Sequence, residues 1–417
     1  MKKILKYIAI YIITITILII TQNLILRIPN NLIEKNIKES STYLEKSGDK
    51  QYLINSDNKY LKEAFKLDNF TDSITLNLIW NNTNKTQIQM NYYYDGQSGV
   101  KSLEKTLNEN KTPNLEYSRY HQGQITYVKL LLLLFNLKEI RIINCIIITI
   151  LIVYLLFILY KKSKLLSIAL ALSLFSINIF VVPLTIQFFT TFLIMLVFSI
   201  ITIKTLDKDD KTFLLLMMLS GLITNYFDFL TTETLTLTVP LLLRIYLKNN
   251  NKKINFKQIL LFIIKSCIVW GLSYIISFVI KWILSTSIYG LTEITKTWEF
   301  AKIRIYDIPT NNLILFIISS ILNSLSFLMP FSLLKASPVI IIIFILFILW
   351  LFIFELNRKK QKMYLLMIII SLIPIIRFIV LYAHTAVHLY FVYRALIPLM
   401  ITLIMIIIES TISKIVK

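Results

Sequence analysis

The sequence predicts an all-α polytopic membrane protein, with about ten transmembrane helices and one large loop outside the membrane. Of its 417 residues, 56% are hydrophobic and 16% are charged, whereas soluble domains carry about a quarter charged residues. The charges are unevenly spread, and runs such as Ile8–Ile20 and Val339–Phe354 contain none. Extended by the uncharged residues that flank them, helices of this kind cross about 30 Å of hydrocarbon.

The net charge of +21 is explained by membrane topology. Lysine and arginine cluster in short loops beside apolar runs, as the positive-inside rule requires. The sequence contains none of the usual nucleic-acid recognition motifs, so a nucleic-acid partner is not expected. Cys145 and Cys267 fall inside predicted spans, so neither a disulfide framework nor a metal cluster is expected.

Residues 1–26 are predicted to form the first transmembrane helix. The basic residues at its start place that end in the cytoplasm, and no small-residue cleavage site follows the apolar run, so we expect it to remain uncleaved. Residues 27–138 are then a large extracytoplasmic loop with a mixed α/β or mostly helical fold. This loop is poor in apolar residues for a core of its own, so we expect it to pack on the membrane domain.

Residues 139–417 are predicted to form a multi-span membrane domain. The basic cluster after each inward-running span places both termini in the cytoplasm of a multi-pass cell-membrane protein. An apolar stretch within about residues 285–335 is predicted to be a re-entrant or interface segment, broken at Pro330. The remaining predicted spans are about 140–160, 165–182, 184–203, 213–225, 234–246, 259–284, 339–354, 363–382 and 395–408.

With this topology the unusual polar residues converge on the outer face. The outer loops hold Asp68, Asp72, Arg119, His121, Asp228, Glu233, Asp307, His384 and His388. Three cations lie inside spans near their outer ends, namely Lys281, Arg377 and Arg394. A charge within the membrane costs about 2.5–3.5 kcal/mol on insertion scales, so it usually faces a cavity or a partner. The alternative is that these side chains extend to the lipid headgroups.

Two carboxylates, Asp68 and Asp72, are four residues apart and would share one face of a helix. Two neighbouring carboxylates raise one pKa, which suits a general base. The alternative is that they cap a helix N-terminus.

Asp228 lies in the segment Asn225–Glu233, between two short helices at membrane depth. Irregular backbone there is tolerated only against protein or a wet cavity. Asp228 is therefore predicted to lie at the bottom of an outward-facing cavity or, alternatively, to cap a helix end.

His384 and His388 are also four residues apart. A zinc site would need a third ligand, so we expect these histidines to hydrogen-bond a substrate or their surroundings.

Four segments carry a resemblance: LDNFTDSITLNLIW (67–80), YSRYHQG (117–123), GLITNYFDFLTTETLTLTVPLL (221–242) and HTAVHLYFVYRAL (384–396). Together they resemble a poorly characterised bacterial multi-span membrane protein family. Its plan is similar to the C-type glycosyltransferase (GT-C) superfamily. Such enzymes carry catalytic acid in the first outer loop, just after the first span. Here the nearest acid is Glu34, and Asp68 and Asp72 lie further along.

The resemblance implies transfer of a sugar from a polyprenyl-phosphate donor to a cell-envelope glycan, lipid or protein at the outer face. It implies Asp72 as the base, supported by Asp68. Arg119, Lys281, Arg377 and Arg394 would neutralise the leaving phosphate. The polar residues that would bind the sugar are His121, Asp228, His384 and His388. No protein metal ligands are assigned and no cofactor is named, although a divalent cation stays open.

Two other functions stay open. A transporter or flippase of lipid-linked glycans would have a broken helix pair at its binding site, as around Asp228. A non-catalytic scaffold in envelope assembly would tolerate the loss of single outer charges. The sugar and the acceptor do not follow from the sequence.

Overall fold

The computed structural model describes residues 2–250, 254–306, 308 and 312–415. Asp307, which the sequence places in an outer loop, lies outside these described residues. Within them the chain is almost entirely helical, with two small two-stranded sheets. This confirms the prediction of an all-α polytopic membrane protein.

The first helix, α1 (Lys2–Leu26), leads into a region of short elements, which we call the outer region after its predicted location. Its helices are α2 (Glu34–Glu45), α3 (Lys59–Ala64), α4 (Asn69–Asn81), α5 (Gly99–Asn108) and α6 (Gln124–Leu131). Its strands are β1 (Lys50–Tyr52), β2 (Lys66–Asp68), β3 (Asn91–Tyr92) and β4 (Leu115–Glu116), paired antiparallel as β1–β2 and β3–β4.

The rest of the chain is helical. The first group is α7 (Leu137–Tyr160), α8 (Lys164–Ser176), α9 (Ile186–Lys204), α10 (Asp210–Phe227), α11 (Leu235–Asn249), α12 (Phe256–Tyr289) and α13 (Thr292–Tyr306). The second group is α14 (Leu313–Ser326), α15 (Pro338–Trp350), α16 (Arg358–Ser371), α17 (Ile373–Val380), α18 (Tyr382–Val387), α19 (Leu389–Val392) and α20 (Ile397–Ile415). Short 3₁₀ turns at Asn30–Leu32, Ile179–Leu184 and Tyr393–Leu396 and a π-turn at Leu351–Glu355 complete the chain.

Seven helical stretches in the described part of the chain are long and apolar enough to cross a membrane. They are Leu5–Leu26, Leu137–Tyr160, Ile186–Lys204, Phe256–Tyr289, Pro338–Glu355, Arg358–Val380 and Leu389–Ile412. Each corresponds to a predicted span. The other three predicted spans correspond to α8, α10 and α11, which do not meet these criteria of length and hydropathy. The total of ten spans and the cytoplasmic location of the termini therefore stay predictions.

The predicted break at Pro330 matches a real interruption of helical structure. Helix α14 ends at Ser326 and α15 begins at Pro338. With 14 residues, α14 is about 21 Å long, which is shorter than the hydrocarbon core. Helix α13, which precedes it, exposes the apolar side chains of Ile294, Trp298 and Ile303. This is the pattern of a helix lying at a membrane interface.

The outer region shares its apolar core with the membrane helices. Its cluster joins Ile37, Leu76 and Leu103 to Ile140 at the start of α7 and to Ile186 at the start of α9. The expectation that this region packs on the membrane domain agrees with this arrangement. Helix α12, with 34 residues, is about 51 Å long, which exceeds the hydrocarbon core, and its last turns contact the outer region through Lys281 and Ser285.

Candidate functional site

Asp68 lies at the N-terminus of α4 and caps it. Its carboxylate accepts hydrogen bonds from the backbone N–H of Thr71 at 3.1 Å and from the Thr71 hydroxyl at 2.9 Å. Asp68 therefore caps the N-terminus of α4, which was one of the two alternatives that the sequence left open. Its Oδ2 also accepts from Gln187 of α9 and from the Tyr390 hydroxyl, the latter at 2.9 Å. Asp68 thus links the outer region to two membrane helices.

Asp72 faces the other way and is fully buried. Its Oδ2 accepts from Nη2 of Arg141 in α7 at 2.7 Å, and its Oδ1 accepts from the backbone N–H of Ile186 at 3.0 Å. Burial raises the pKa of Asp72 to about 6, and the Arg141 guanidinium opposes that rise. The carboxylate is held in an ion pair with Arg141. Its role as a base stays a prediction.

Lys281 and His121 join α12 to the outer region. The Lys281 ammonium donates to the backbone oxygen of Gln87 at 2.6 Å. His121 Nε2 donates to the Ser277 backbone oxygen at 3.1 Å, and its ring stacks on Tyr226 at 4.9 Å between centroids. Burial, together with Lys281, lowers the pKa of His121 to about 3. His121 is therefore neutral, and its hydrogen bond to Ser277 connects the outer loop to α12.

Arg394 is buried and donates to backbone carbonyls. Its guanidinium reaches the oxygens of Ile177 at 3.2 Å, Tyr390 at 3.0 Å and Ala64 at 2.9 Å. Because Ala64 ends α3, this arginine also links the outer region to the membrane helices.

Asp228 follows the last residue of α10 and accepts from the hydroxyl of Thr191 at 2.6 Å and from the backbone N–H of Thr231 at 3.0 Å. It is therefore bonded as a helix-end residue.

A cluster of polar side chains forms around Arg377. Its Nε donates to Glu233 Oε1 at 2.8 Å, and its Nη2 donates to the backbone oxygen of Leu230 at 2.6 Å and to His384 Nδ1 at 3.2 Å. The His384 and His388 rings are 4.6 Å apart between centroids. Burial lowers the pKa of both histidines, that of His388 to about 4, so both are neutral at neutral pH.

This cluster continues towards Asp68. The His388 ring lies 6.3 Å from the Tyr390 ring, and the Tyr390 hydroxyl donates to Asp68. Oε2 of Glu233 and Nδ1 of His388 have no hydrogen-bond partner among the described residues. The structure therefore brings Asp68, His388, His384 and Arg377 into one connected group. Arg394 contacts this group at the Tyr390 carbonyl, whereas Asp72 and Lys281 make their contacts elsewhere.

A mostly apolar cavity of about 170 Å³, which we call the outer cavity after its predicted location, lies beside this cluster. Its walls come from α12, α13, the loop before α6 and the segment between α10 and α11, and include Phe278, Trp282, Phe300, Leu230, Arg119 and Arg304. Among the described residues that line it, none is acidic. Leu230 belongs to both features, since its side chain lines the cavity and its carbonyl binds Arg377.

Aromatic groups hold the two arginines of this cavity. The Arg119 guanidinium lies 3.8 Å from the centroid of the Phe300 ring and 4.5 Å from that of Tyr117. Arg304 Nε donates to the Tyr120 hydroxyl at 3.1 Å. Neither arginine has a carboxylate within salt-bridge distance in the described part of the chain. Among the described residues, the contacts of these two guanidinium groups are therefore with aromatic side chains.

Sequence reasoning assigned no role to Arg304, Arg141 or Glu233. Arg304 lies in the predicted interface segment. Its position as a cation beside apolar residues was the feature from which a functional role could have been predicted. Arg141 lies in the first turns of α7, close to Glu139. Its ion pair with Asp72 of α4 joins positions 69 residues apart, so the neighbouring sequence could not predict it. Glu233 was recognised as an outer acid, but its contact with Arg377 joins positions 144 residues apart.

A metal site is not evident in the described residues, where no group of three histidine, cysteine or acidic side chains is arranged to hold an ion. Comparison with protein-family models, curated proteins and solved structures finds no match to this chain. The GT-C resemblance therefore stays a proposal, argued from the chain's own residues.

Proposed function

We propose that this protein is a membrane glycosyltransferase, which moves a sugar from a polyprenyl-phosphate donor to a cell-envelope acceptor at the outer face. The observation that carries the proposal is the apolar cavity with Arg119 and Arg304 in its wall. A polyprenyl tail suits the apolar lining contributed by Phe278 and Trp282. Fixed guanidinium groups suit the phosphate, because they stabilise the negative charge that develops on it as the sugar leaves.

In the proposed reaction, an acceptor hydroxyl oxygen forms a bond to the anomeric carbon of the sugar. The bond between that carbon and the phosphate oxygen breaks, and polyprenyl phosphate leaves with the bonding electron pair. The acceptor proton passes to a carboxylate that acts as general base. The arginines bind the donor phosphate and lower the barrier to its departure.

Glu233 is one buried carboxylate that is connected to the cavity. It is bound to Arg377, which also binds the backbone of the cavity residue Leu230. Its Oε2 has no hydrogen-bond partner among the described residues and can accept a proton. Asp72, the predicted base, has both oxygens engaged. We therefore place Glu233 beside Asp72 as a candidate base, with Asp68 and Asp228 in supporting roles. The neutral histidines His384 and His388 would hydrogen-bond sugar hydroxyls.

The test is turnover by purified protein in liposomes, supplied with radiolabelled polyprenyl-phosphate sugars and envelope glycolipid acceptors. Release of polyprenyl phosphate is measured for the wild type, Arg304→Gln and Lys296→Gln. Lys296 lies on the same helix but is exposed and lies outside the cavity, so it is the matched control. We expect Arg304→Gln to reduce turnover on the order of 100-fold and Lys296→Gln to leave it unchanged. Equal turnover in all three proteins would exclude a role for Arg304 in transfer.

The same assay identifies the base. Glu233→Gln and Asp72→Asn are compared at equal amounts of folded protein, judged by their thermal unfolding. Loss of turnover in Glu233→Gln alone assigns the base to the cavity cluster, and loss in Asp72→Asn alone assigns it to the first outer loop.

A transporter or flippase of lipid-linked glycans is the second candidate. It is favoured by the irregular segment between α10 and α11, where Asp228 lies beside Asn225, whose side-chain amide has no partner among the described residues. Movement of labelled lipid between leaflets, without turnover of any donor, would favour this function over transfer.

A further inference from the structure

A second cavity lies at the opposite end of α10 and α11 from the arginine-lined one. Its volume is about 260 Å³, and its walls come from the start of α10, the last turns of α11 and the start of α12. The charged residues in its wall are Asp210, Arg244 and Lys248. The predicted topology places this end of the helices at the cytoplasmic surface. We call it the inner cavity.

Arg244 is 1% exposed and only partly satisfied. Its Nη2 donates to Asp210 Oδ1 at 2.8 Å, while its Nε and Nη1 have no partner in the described part of the chain. The rings of Phe213 and Phe262 lie 4.8 Å and 5.7 Å from the guanidinium. An arginine has five N–H donors, and leaving buried donors unpaired costs free energy. A buried guanidinium with free donors is therefore suited to an anionic ligand.

The local charge balance also favours an anion. Lys248 Nζ lies 3.1 Å from Asp210 Oδ1, the same oxygen that Arg244 contacts. Two cations therefore share one carboxylate oxygen, and the charged residues described in the cavity wall carry a net charge of +1. The Asp210 side chain is 59% exposed, so an incoming anion can displace it from the cations without unfolding the helices.

We infer that the inner cavity binds a phosphate group, with Arg244 and Lys248 as its cationic contacts. Basic pockets between transmembrane helices at the cytoplasmic surface bind the headgroups of anionic lipids, and a soluble phosphate ester would present the same group to the same residues. This site is independent of the glycosyltransferase proposal, because it shares no wall with the outer cavity.

The test is binding of phosphatidylglycerol and phosphatidylcholine to the purified full-length protein in detergent, measured by native mass spectrometry. Variants are Lys248→Gln, Asp210→Asn and, as the matched control, the exposed Lys257→Gln on the same side of the protein. Arg244→Gln removes a buried residue, so it is interpreted only where its thermal unfolding matches the wild type. We expect preferential binding of phosphatidylglycerol, weakened about fivefold in Lys248→Gln.

Asp210→Asn separates binding from a merely structural role. It removes the competing carboxylate, so we expect it to bind phosphatidylglycerol more tightly, while Lys257→Gln behaves like the wild type. If inorganic phosphate competes but the two lipids bind equally, the site is assigned to a soluble phosphate ester rather than to a lipid. Equal binding of the two lipids without phosphate competition, or weaker binding in Asp210→Asn, would overturn the inference.

Discussion

At the scale of single residues, the Asp72–Arg141 pair is the most heavily buried ion pair that the structure describes. Arg141 Nη2 contacts both Asp72 and Asn69 at 2.7 Å. A buried ion pair contributes little net free energy over a well-packed apolar pair, but removing one partner leaves the other charge buried and unpaired. Asp72 therefore has a structural role that does not depend on any catalytic one.

We predict that Asp72→Asn lowers the free energy of unfolding by about 3–5 kcal/mol. The double variant Asp72→Asn with Arg141→Met is expected to be more stable than Asp72→Asn alone, because the unpaired guanidinium is gone. Thermal unfolding in detergent measures these two variants and the single variant Arg141→Met. A double variant that is the sum of its two single variants would show that the pair is not coupled.

His121 makes the stability depend on pH. Its pKa is about 3 in the folded protein and about 6.5 in an unfolded chain. Between these values the unfolded chain binds a proton that the folded protein does not, so stability falls as the pH drops below about 6.5. The charged and titratable groups that face His121 are Lys281 of α12 and Tyr226 of α10.

We predict that His121→Gln loses less stability than the wild type between pH 7.5 and pH 5.5. The slope due to one such histidine is up to about 1.4 kcal/mol per pH unit. The melting temperature as a function of pH measures it, with the range above pH 7 as internal control. Parallel curves for the two proteins over the whole range would contradict this assignment.

At the scale of helices, α10 and α12 approach each other closely at Gly221. A Cβ at this position would lie 2.5 Å from the backbone oxygen of Trp270 and 3.2 Å from the Ser273 Cβ. Small residues let helix backbones approach in membrane proteins. This contact holds α12 beside the irregular segment that follows α10, and so positions one wall of the outer cavity.

We predict that Gly221→Ala destabilises the protein by about 1–3 kcal/mol, because the backbone of α12 has to move. Gly271→Ala on α12 is the matched control, since a Cβ there meets nothing within 4 Å. That control is expected to be neutral or to stabilise by up to about 1 kcal/mol. Similar melting temperatures for the two variants would argue against close packing at Gly221.

At the scale of the whole molecule, the outer region and the membrane helices form one folded unit. Their shared core includes Leu26, Ile140 and Ile186, and the buried carboxylate Asp72 finds its cation on α7. A fragment containing residues 27–138 would lack all of these partners.

We predict that residues 27–138 expressed alone do not unfold cooperatively, because the fragment exposes apolar surface and leaves Asp72 unpaired. Thermal unfolding followed by circular dichroism measures this, with the full-length protein in detergent as control. A sigmoidal transition in the isolated fragment would show that the outer region folds by itself.

The sequence by itself determined the membrane class, the positions of the seven long apolar helices and the existence of the outer region. These properties follow from local composition, because the free energy of placing an uncharged apolar helix in lipid depends mainly on its own residues. The cap at Asp68 and the break near Pro330 are local in the same sense. Both could therefore be predicted from a few neighbouring residues.

Only the tertiary structure decided the partners of the charged residues. Asp72 meets Arg141, Arg377 meets Glu233, and Arg119 lies in the same cavity wall as Arg304. Such contacts join positions far apart in the chain, and a buried charge is stabilised by whichever group the packing brings to it. A charge pattern along the sequence therefore predicts that partners exist, while the packing of the helices decides which residues they are.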